Sequence, residues 1–199
     1  MRRQSPLIKT IAGSAIAFAA LAAVPRAHAQ YSVFDADAAL NAYHERVESY
    51  AALHRRLAPP PPAMAGSDPI SKLLGRQYLA AAVRGARPYA RQGDIFTPEV
   101  ATLVRWMLAD AIGEVDGEHF LATLNGGEPA PRGMHPSVNE PYLLLPVHRL
   151  PPEIRLGLPP IPAELDYRIA GHDLVLWDIY AGIVVDFVPG AITSHTSTE

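Results

Sequence analysis

The stretch DYRIAGHDLVLWDIYAGIVVDFVP, residues 166–189, decides the fold of this chain. It contains three short segments rich in β-branched and aromatic residues, separated by two glycine-containing turns. The segments are Asp166–Ile169, Asp173–Asp178 and Ile183–Phe187, and the turns are Gly171-His172 and Tyr180-Ala181-Gly182. This pattern predicts a three-stranded antiparallel β-meander at residues 165–190. Because both faces of the second strand are apolar, we expect other parts of the chain to cover the sheet.

A proline-rich segment precedes the meander. Ten prolines lie in the 34 residues from Pro129 to Pro162. Proline cannot donate an amide hydrogen bond, so long helices and interior strands are excluded there. Large apolar residues in the same segment argue against a solvated linker. We therefore expect residues 128–164 to form an ordered, extended connector with a short helical turn at Pro152–Leu156.

Residues 30–127 are predicted to be helical. Apolar residues recur at alternating steps of four and three along Asp35–Leu57, which is typical of a helix packed nearly antiparallel against another helix. Asp68-Pro69 and Thr97-Pro98 are signals for the starts of two further helices. A short fourth helix is predicted at Glu114–Leu124. In the second helix, the residues expected to form the apolar face are Ile70, Leu73, Leu74, Ala80 and Ala81.

The predicted fold class is therefore α+β. An N-terminal bundle of three or four helices is followed by the proline-rich connector and by the C-terminal three-stranded meander. Residues 191–199 are expected to form a flexible tail.

The first 29 residues have the features of a secretory signal peptide. Met1-Arg2-Arg3 is cationic, Ile11–Val24 is apolar, and Ala27-His28-Ala29 is a small-x-small cleavage motif. An apolar stretch of 14 residues is shorter than the roughly 20 that cross a bilayer. We expect a Sec-type signal in residues 1–29, cleavage after Ala29, and a periplasmic or secreted protein.

Composition restricts the classes of partner. Residues 1–29 contain four basic residues and no acidic one, so the mature chain has a net charge of about −7. Such a chain repels phosphate backbones, and we expect no nucleic-acid binding. The absence of cysteine excludes disulfides, thiolate metal sites and cysteine nucleophiles. We also expect no transmembrane segment after signal cleavage, and the oligomeric state stays open.

No spacing in the sequence marks a catalytic, cofactor-binding or metal site, and we assign no residue to any of them. Neither H-E-x-x-H nor G-x-S-x-G occurs. His44 and Glu48 lie one helical turn apart, but a tight metal site needs three or four ligands. Arg84, Arg87 and Arg91 are interpreted as charges at a helix end, paired with nearby acids such as Asp94.

One arrangement is left open. A cleft in which at least two of the C-terminal carboxylates and histidines converge would favour a hydrolase. The candidate residues are Asp173, Asp178, Asp186, His148 and His172.

Two stretches, 90–100 (ARQGDIFTPEV) and 158–189, together resemble a family of uncharacterised secreted bacterial proteins. That resemblance implies an exported protein of unknown activity and supplies no site residues. The meander alone is also similar to the C-terminal β-module of small periplasmic proteins, including nickel and cobalt homeostasis proteins.

The function predicted from the sequence is that of a non-enzymatic binding or interaction protein in the cell envelope, with a protein partner there and no cofactor. The long first helix is one candidate surface for that partner. Two alternatives remain open: a hydrolase whose site is assembled from C-terminal carboxylates and histidines, and a metal-responsive periplasmic protein.

Overall fold

The structure is a computed structural model that describes residues 35–58, 68–113, 115–142 and 146–193. It confirms the α+β class: helices occupy the N-terminal half and an antiparallel sheet the C-terminal part. The helices are α1 (Ala36–Leu57), α2 (Pro69–Ala86), α3 (Pro98–Ile112), α4 (Gly117–Leu124) and α5 (Pro152–Leu156). The strands are β1 (Val147–Arg149), β2 (Leu165–Ala170), β3 (Asp173–Asp178) and β4 (Ile183–Val188).

Helices α2 and α3 begin at the predicted signals, Asp68-Pro69 and Thr97-Pro98, and α1 begins at Ala36, one residue after the predicted start. The Ala38 amide donates to the Asp35 carboxylate at 2.9 Å, which caps α1. At α2, the Ser71 amide donates to Asp68 at 2.9 Å, and Pro69 takes the first helical position. These caps satisfy amides that have no partner inside the helix. The short helix predicted at Pro152–Leu156 is confirmed as α5.

The sheet has four strands in the order β1-β2-β3-β4, all antiparallel, rather than the three predicted. The additional strand, β1, lies within the predicted connector, and its Val147 is paired with Ala170 of β2. β1 is only three residues long and lies between Pro146 and Pro151. It forms one edge of the sheet. An edge strand tolerates flanking prolines because one side of its backbone needs no partner strand.

Both faces of the sheet are covered. The face that packs against the helices includes Tyr167, Leu174, Leu176, Ile183 and Val185, and its partners on α1 and α3 include Tyr43, Val47, Val100 and Val104. On the other face, Val175, Val184 and Phe187 form a smaller cluster with Tyr142 of the connector. The connector therefore closes the outer side of the sheet, while the helices provide the main core.

The apolar stripe of α1 packs against other elements of the same chain. Tyr43, Val47, Tyr50 and His54 are all buried against the chain's own elements. The stripe is thus unavailable to a partner protein.

The predicted apolar face of α2 is wrong at every position except Ala80, which is buried. Ile70, Leu73 and Leu74 are 67%, 53% and 59% exposed, and Ala81 is exposed as well. The residues that α2 buries are Gly75, Leu79, Ala80 and Val83. This helix carries two apolar stripes, and the stripe that packs contains the smaller residues, which permit a closer approach to neighbouring elements.

The C-terminal boundary also differs from the prediction. Ala191 and Ile192 are buried in the main core, and the Ile192 amide donates to the His172 carbonyl at 3.2 Å. The predicted tail beyond residue 193 and the predicted signal peptide lie outside the described residues. The fourth helix begins at Gly117 rather than at the predicted Glu114, since Asp116 is its N-cap residue. None of the described helices has the length and apolarity needed to cross a membrane.

Candidate functional site

Asp178, one of the candidate carboxylates, links α1 to the β3–β4 hairpin. Its Oδ2 lies 2.7 Å from the Tyr50 hydroxyl and 2.6 Å from His54 Nδ1. Its Oδ1 accepts from the Tyr180 and Ala181 amides at 2.9 and 2.7 Å. The carboxylate is completely buried. Burial and the neighbouring Asp178 charge raise the pKa of Tyr50, so this hydroxyl stays a donor. Asp178 therefore serves as a structural anchor.

Asp186 anchors the loop before α3 in the same way. Each of its carboxylate oxygens accepts two backbone amides: Oδ1 from Gly93 and Phe187, and Oδ2 from Ile95 and Phe96, at 2.7 to 2.9 Å. Burial raises the pKa of this carboxyl above its usual value, against the opposing effect of the four amides. With all four acceptor positions occupied, Asp186 has no capacity left for a substrate.

Asp173, the third candidate, lies in the wall of a cavity of about 410 Å³, here called the His135 cavity. Asp173 is 2% exposed; its Oδ1 accepts from the Gly190 amide at 2.9 Å and its Oδ2 lies 2.7 Å from His135 Nδ1. The lining comes from four parts of the chain: Glu118 of α4, residues 131–135 of the connector, His172 and Asp173 at the β2–β3 turn, and Gly190, Ile192 and Thr193 after β4.

A second histidine–carboxylate pair lies in the same cavity. His172 Nε2 is 3.0 Å from the Glu118 carboxylate, and its Nδ1 is 3.3 Å from the Pro131 carbonyl. The Arg132 guanidinium forms an ion pair with Glu118. Both partners of the His172 ring are acceptors, so the ring is held by two hydrogen bonds only when both of its nitrogens carry protons. This pair closes one end of the cavity.

The two histidines differ in what they can offer a bound molecule. The buried Asp173 carboxylate accepts a hydrogen bond from the His135 Nδ1–H group, which leaves the lone pair on Nε2 in the neutral ring. The His135 side chain is 51% exposed, and its Nε2 has no hydrogen bond within the described part of the chain. His135 Nε2 can therefore accept a proton or a hydrogen bond from a ligand, whereas both His172 nitrogens are occupied.

The remaining candidates do not join the cavity. His148 is on β1, beside a much smaller pocket, and His44 is exposed on α1. Arg84 pairs with Glu140 at 3.1 Å, and Arg91 with Asp94 at 3.8 Å, as the sequence indicated. Arg87 donates to Asn139 at 3.2 Å and lies over the Tyr50 ring, 5.1 Å from its centroid. Its burial lowers the pKa of the guanidinium.

Of the five candidate carboxylates and histidines, His172 and Asp173 meet in one cleft, while Asp178, Asp186 and His148 do not. The sequence analysis missed His135 and Glu118, which belong to the connector and to α4. Their partners are 38 and 54 residues away in the chain, and no short-range motif records such a pairing. Among the residues that the structure describes, no three histidines or carboxylates are placed to hold a metal ion together.

No protein-family model matches the chain, and neither the curated proteins nor the solved structures contain a significant match. The resemblance to uncharacterised secreted bacterial proteins stays a prediction from the sequence.

Proposed function

We propose that the protein is an exported binding protein whose His135 cavity takes a small, uncharged, hydroxyl-bearing ligand such as a sugar. One observation carries this proposal: the buried Asp173 lies 2.7 Å from His135 Nδ1, so His135 Nε2 is left as an oriented acceptor in the cavity wall. A buried carboxylate that holds an exposed imidazole is a costly arrangement for stability alone, because the carboxylate must be desolvated.

The rest of the lining supports a neutral polar ligand. A hydroxyl group can donate to His135 Nε2 and accept from the Arg132 guanidinium. Glu118 balances the charge of Arg132 within the cavity, so the site does not require a charged ligand. A volume of about 410 Å³ lies within the roughly 300 to 1,000 Å³ of small-molecule pockets.

Export rests on the sequence of residues 1–29 and is tested separately. We expect the protein in the periplasmic or secreted fraction, with Gln30 as its first residue by intact-mass measurement. An unprocessed chain in the cytosol would contradict this part of the proposal.

The binding test compares thermal unfolding with and without each member of a panel of sugars, amino sugars and polyols. A ligand present at 100 times its Kd adds about 2.7 kcal/mol to the free energy of unfolding. That corresponds to a rise in Tm of about 5 to 10 °C for a domain of this size. His135→Ala should weaken binding of the ligand found by about tenfold, since it removes one oriented hydrogen bond.

His44→Ala is the matched control, because His44 is exposed on α1 and outside the cavity. Its Kd should equal that of the unmodified protein. The proposal fails if no panel member raises Tm, or if His135→Ala binds the ligand as tightly as the control does.

A second function, hydrolysis, is favoured by the same pair of residues. His135 Nε2 can take a proton from a water molecule as that water attacks an ester or glycoside, and Asp173 stabilises the imidazolium that forms. The imidazolium then gives the proton to the oxygen of the departing alcohol as its C–O bond breaks. Removal of such a general base lowers the rate by about 10² to 10⁴.

The assay uses chromogenic esters and glycosides at pH values from 5 to 9. Hydrolysis that falls by this factor in both His135→Ala and Asp173→Asn, while persisting in His44→Ala, supports a hydrolase. Equal rates in all variants, or none above the background reaction, leave the cavity as a binding site only.

A further inference from the structure

A second and larger cavity, of about 530 Å³, lies between α2 and the outer face of the sheet. We call it the α2 cavity. It shares no described lining residue with the His135 cavity. The proposed ligand site does not use it, although some of its lining side chains, such as Ala80 and Tyr142, also pack in the core clusters.

The α2 cavity is mainly apolar. Leu73 and Ala80 line it from the helix, Val147 and Trp177 from the sheet, and Tyr142 from the connector. Next to the cavity, three further large side chains of the exposed α2 stripe are each at least 59% exposed: Ile70, Leu74 and Tyr78. A contiguous apolar surface of this kind on a folded domain indicates a site for an apolar ligand or partner.

Two arginines are the only charged residues among the described lining residues, although the chain as a whole is acidic. Arg76 has no ion pair within the described part of the chain. Arg84 pairs with Glu140 at 3.1 Å, and both side chains are substantially exposed. The exposed Arg76 side chain passes close to Gly182, which has a φ of +69° and where a Cβ atom would lie 3.0 Å from Arg76 Cδ.

We propose that the α2 cavity binds a long-chain carboxylate. The hydrocarbon chain lies against Leu73, Val147 and Trp177, and the carboxylate pairs with the Arg76 guanidinium. A guanidinium matches a carboxylate with two parallel hydrogen bonds, and its weak hydration suits a site beside apolar surface. The exposed part of the α2 stripe extends the apolar surface available to the chain.

The number of buried methylenes sets the expected affinity. Each one contributes about a fourfold increase in binding constant, so two more carbons should tighten binding by roughly 15-fold. Octanoate, decanoate and dodecanoate, all used below their micelle concentrations, should therefore form a graded series. Dodecanol has the same chain without the carboxylate and should bind about three- to tenfold more weakly than dodecanoate.

The fluorescence of Trp177, which lines the α2 cavity, reports ligand binding. The chain has two tryptophans, and Trp106 is 72% exposed on α3, away from the α2 cavity. Trp106→Phe leaves Trp177 as the only tryptophan, so a saturable change in its emission reports occupation of the cavity. Far-UV circular dichroism in the same samples confirms that the chain stays folded.

Variants in this background separate the site from non-specific adsorption. Arg76→Gln should weaken dodecanoate binding by about three- to tenfold and leave dodecanol binding unchanged. Lys72→Gln removes a charge from the same helix outside the cavity and should change neither. Leu73→Gln should weaken both ligands. The proposal is overturned if no saturable Trp177 change occurs, if affinity is independent of chain length, or if Arg76→Gln and Lys72→Gln bind dodecanoate alike.

Discussion

Asp178 and Asp186, the two buried aspartates whose oxygens are fully hydrogen-bonded, should respond very differently to replacement by asparagine. The reason is that Asp178 has side-chain as well as backbone partners. All four donors to Asp186 are backbone amides, which can only donate. Asp186→Asn replaces one acceptor oxygen by an NH₂ group. In either orientation of the new amide, one pair of backbone N–H groups then faces a donor: either Gly93 with Phe187, or Ile95 with Phe96.

The size of the effect follows from that count. A buried polar group left without its partner costs about 1 to 3 kcal/mol, so two such amides cost about 2 to 6 kcal/mol. Removal of a buried charge offsets part of this loss, and burial does raise the pKa of the Asp186 carboxyl. We therefore expect Asp186→Asn to lower the free energy of unfolding by about 2 to 4 kcal/mol. Tm should fall by about 4 to 16 °C.

Asp178→Asn provides the contrast. Asn can keep its oxygen toward the Tyr180 and Ala181 amides and turn its NH₂ toward Tyr50 and His54. The Tyr50 hydroxyl can accept as well as donate, and the other neutral tautomer of His54 accepts at Nδ1. All partners are then satisfied, and the loss should be about 1 kcal/mol or less.

Urea unfolding followed by circular dichroism measures both variants. Asp110→Asn, at an exposed position of α3, serves as the control for a surface Asp→Asn change, with an expected loss below about 0.5 kcal/mol. The reasoning is refuted if Asp178→Asn is as destabilising as Asp186→Asn, or if Asp186→Asn falls within the range of the control.

Three further predictions follow from the packing. Burial raises the pKa of Tyr43, so the folded chain keeps a proton that the unfolded chain loses above about pH 10. The free energy of unfolding, measured with urea at about pH 9 to 11, should therefore fall as pH rises. It should fall less steeply in Tyr43→Phe. A Cβ at Gly117 would clash with the Thr193 carbonyl oxygen, so Gly117→Ala should cost about 1 to 3 kcal/mol. An unchanged Tm would contradict the close approach of these two segments. Leu79→Ala should lower the free energy of unfolding by about 2 to 5 kcal/mol and Leu74→Ala by under about 0.5 kcal/mol, since Leu79 is buried and Leu74 is exposed. Equal losses would mean that the Leu74 face of α2 is packed.

Local signals explain where the sequence analysis succeeded. The N-cap Asp68, the proline at the start of α3 and the turn glycines each act within a few residues, so their effect is visible in the sequence. The errors have a different origin. Both stripes of α2 are apolar, so the sequence could not show which stripe is buried. β1 is too short to show the alternation of a strand, so its pairing with β2 could not be predicted either.

The starts of α2 and α3, the hairpin strands, the turns between them and the acidic, cysteine-free character of the chain follow from local sequence. Which aspartates are fully hydrogen-bonded anchors, and which one faces a cavity, depends on packing. Asp173, Asp178 and Asp186 look alike in one meander. Their roles differ because distant segments supply their partners: α1 for Asp178, the loop before α3 for Asp186, and the connector's His135 for Asp173. A contact across 38 or more residues depends on how the chain packs, and no local pattern encodes it.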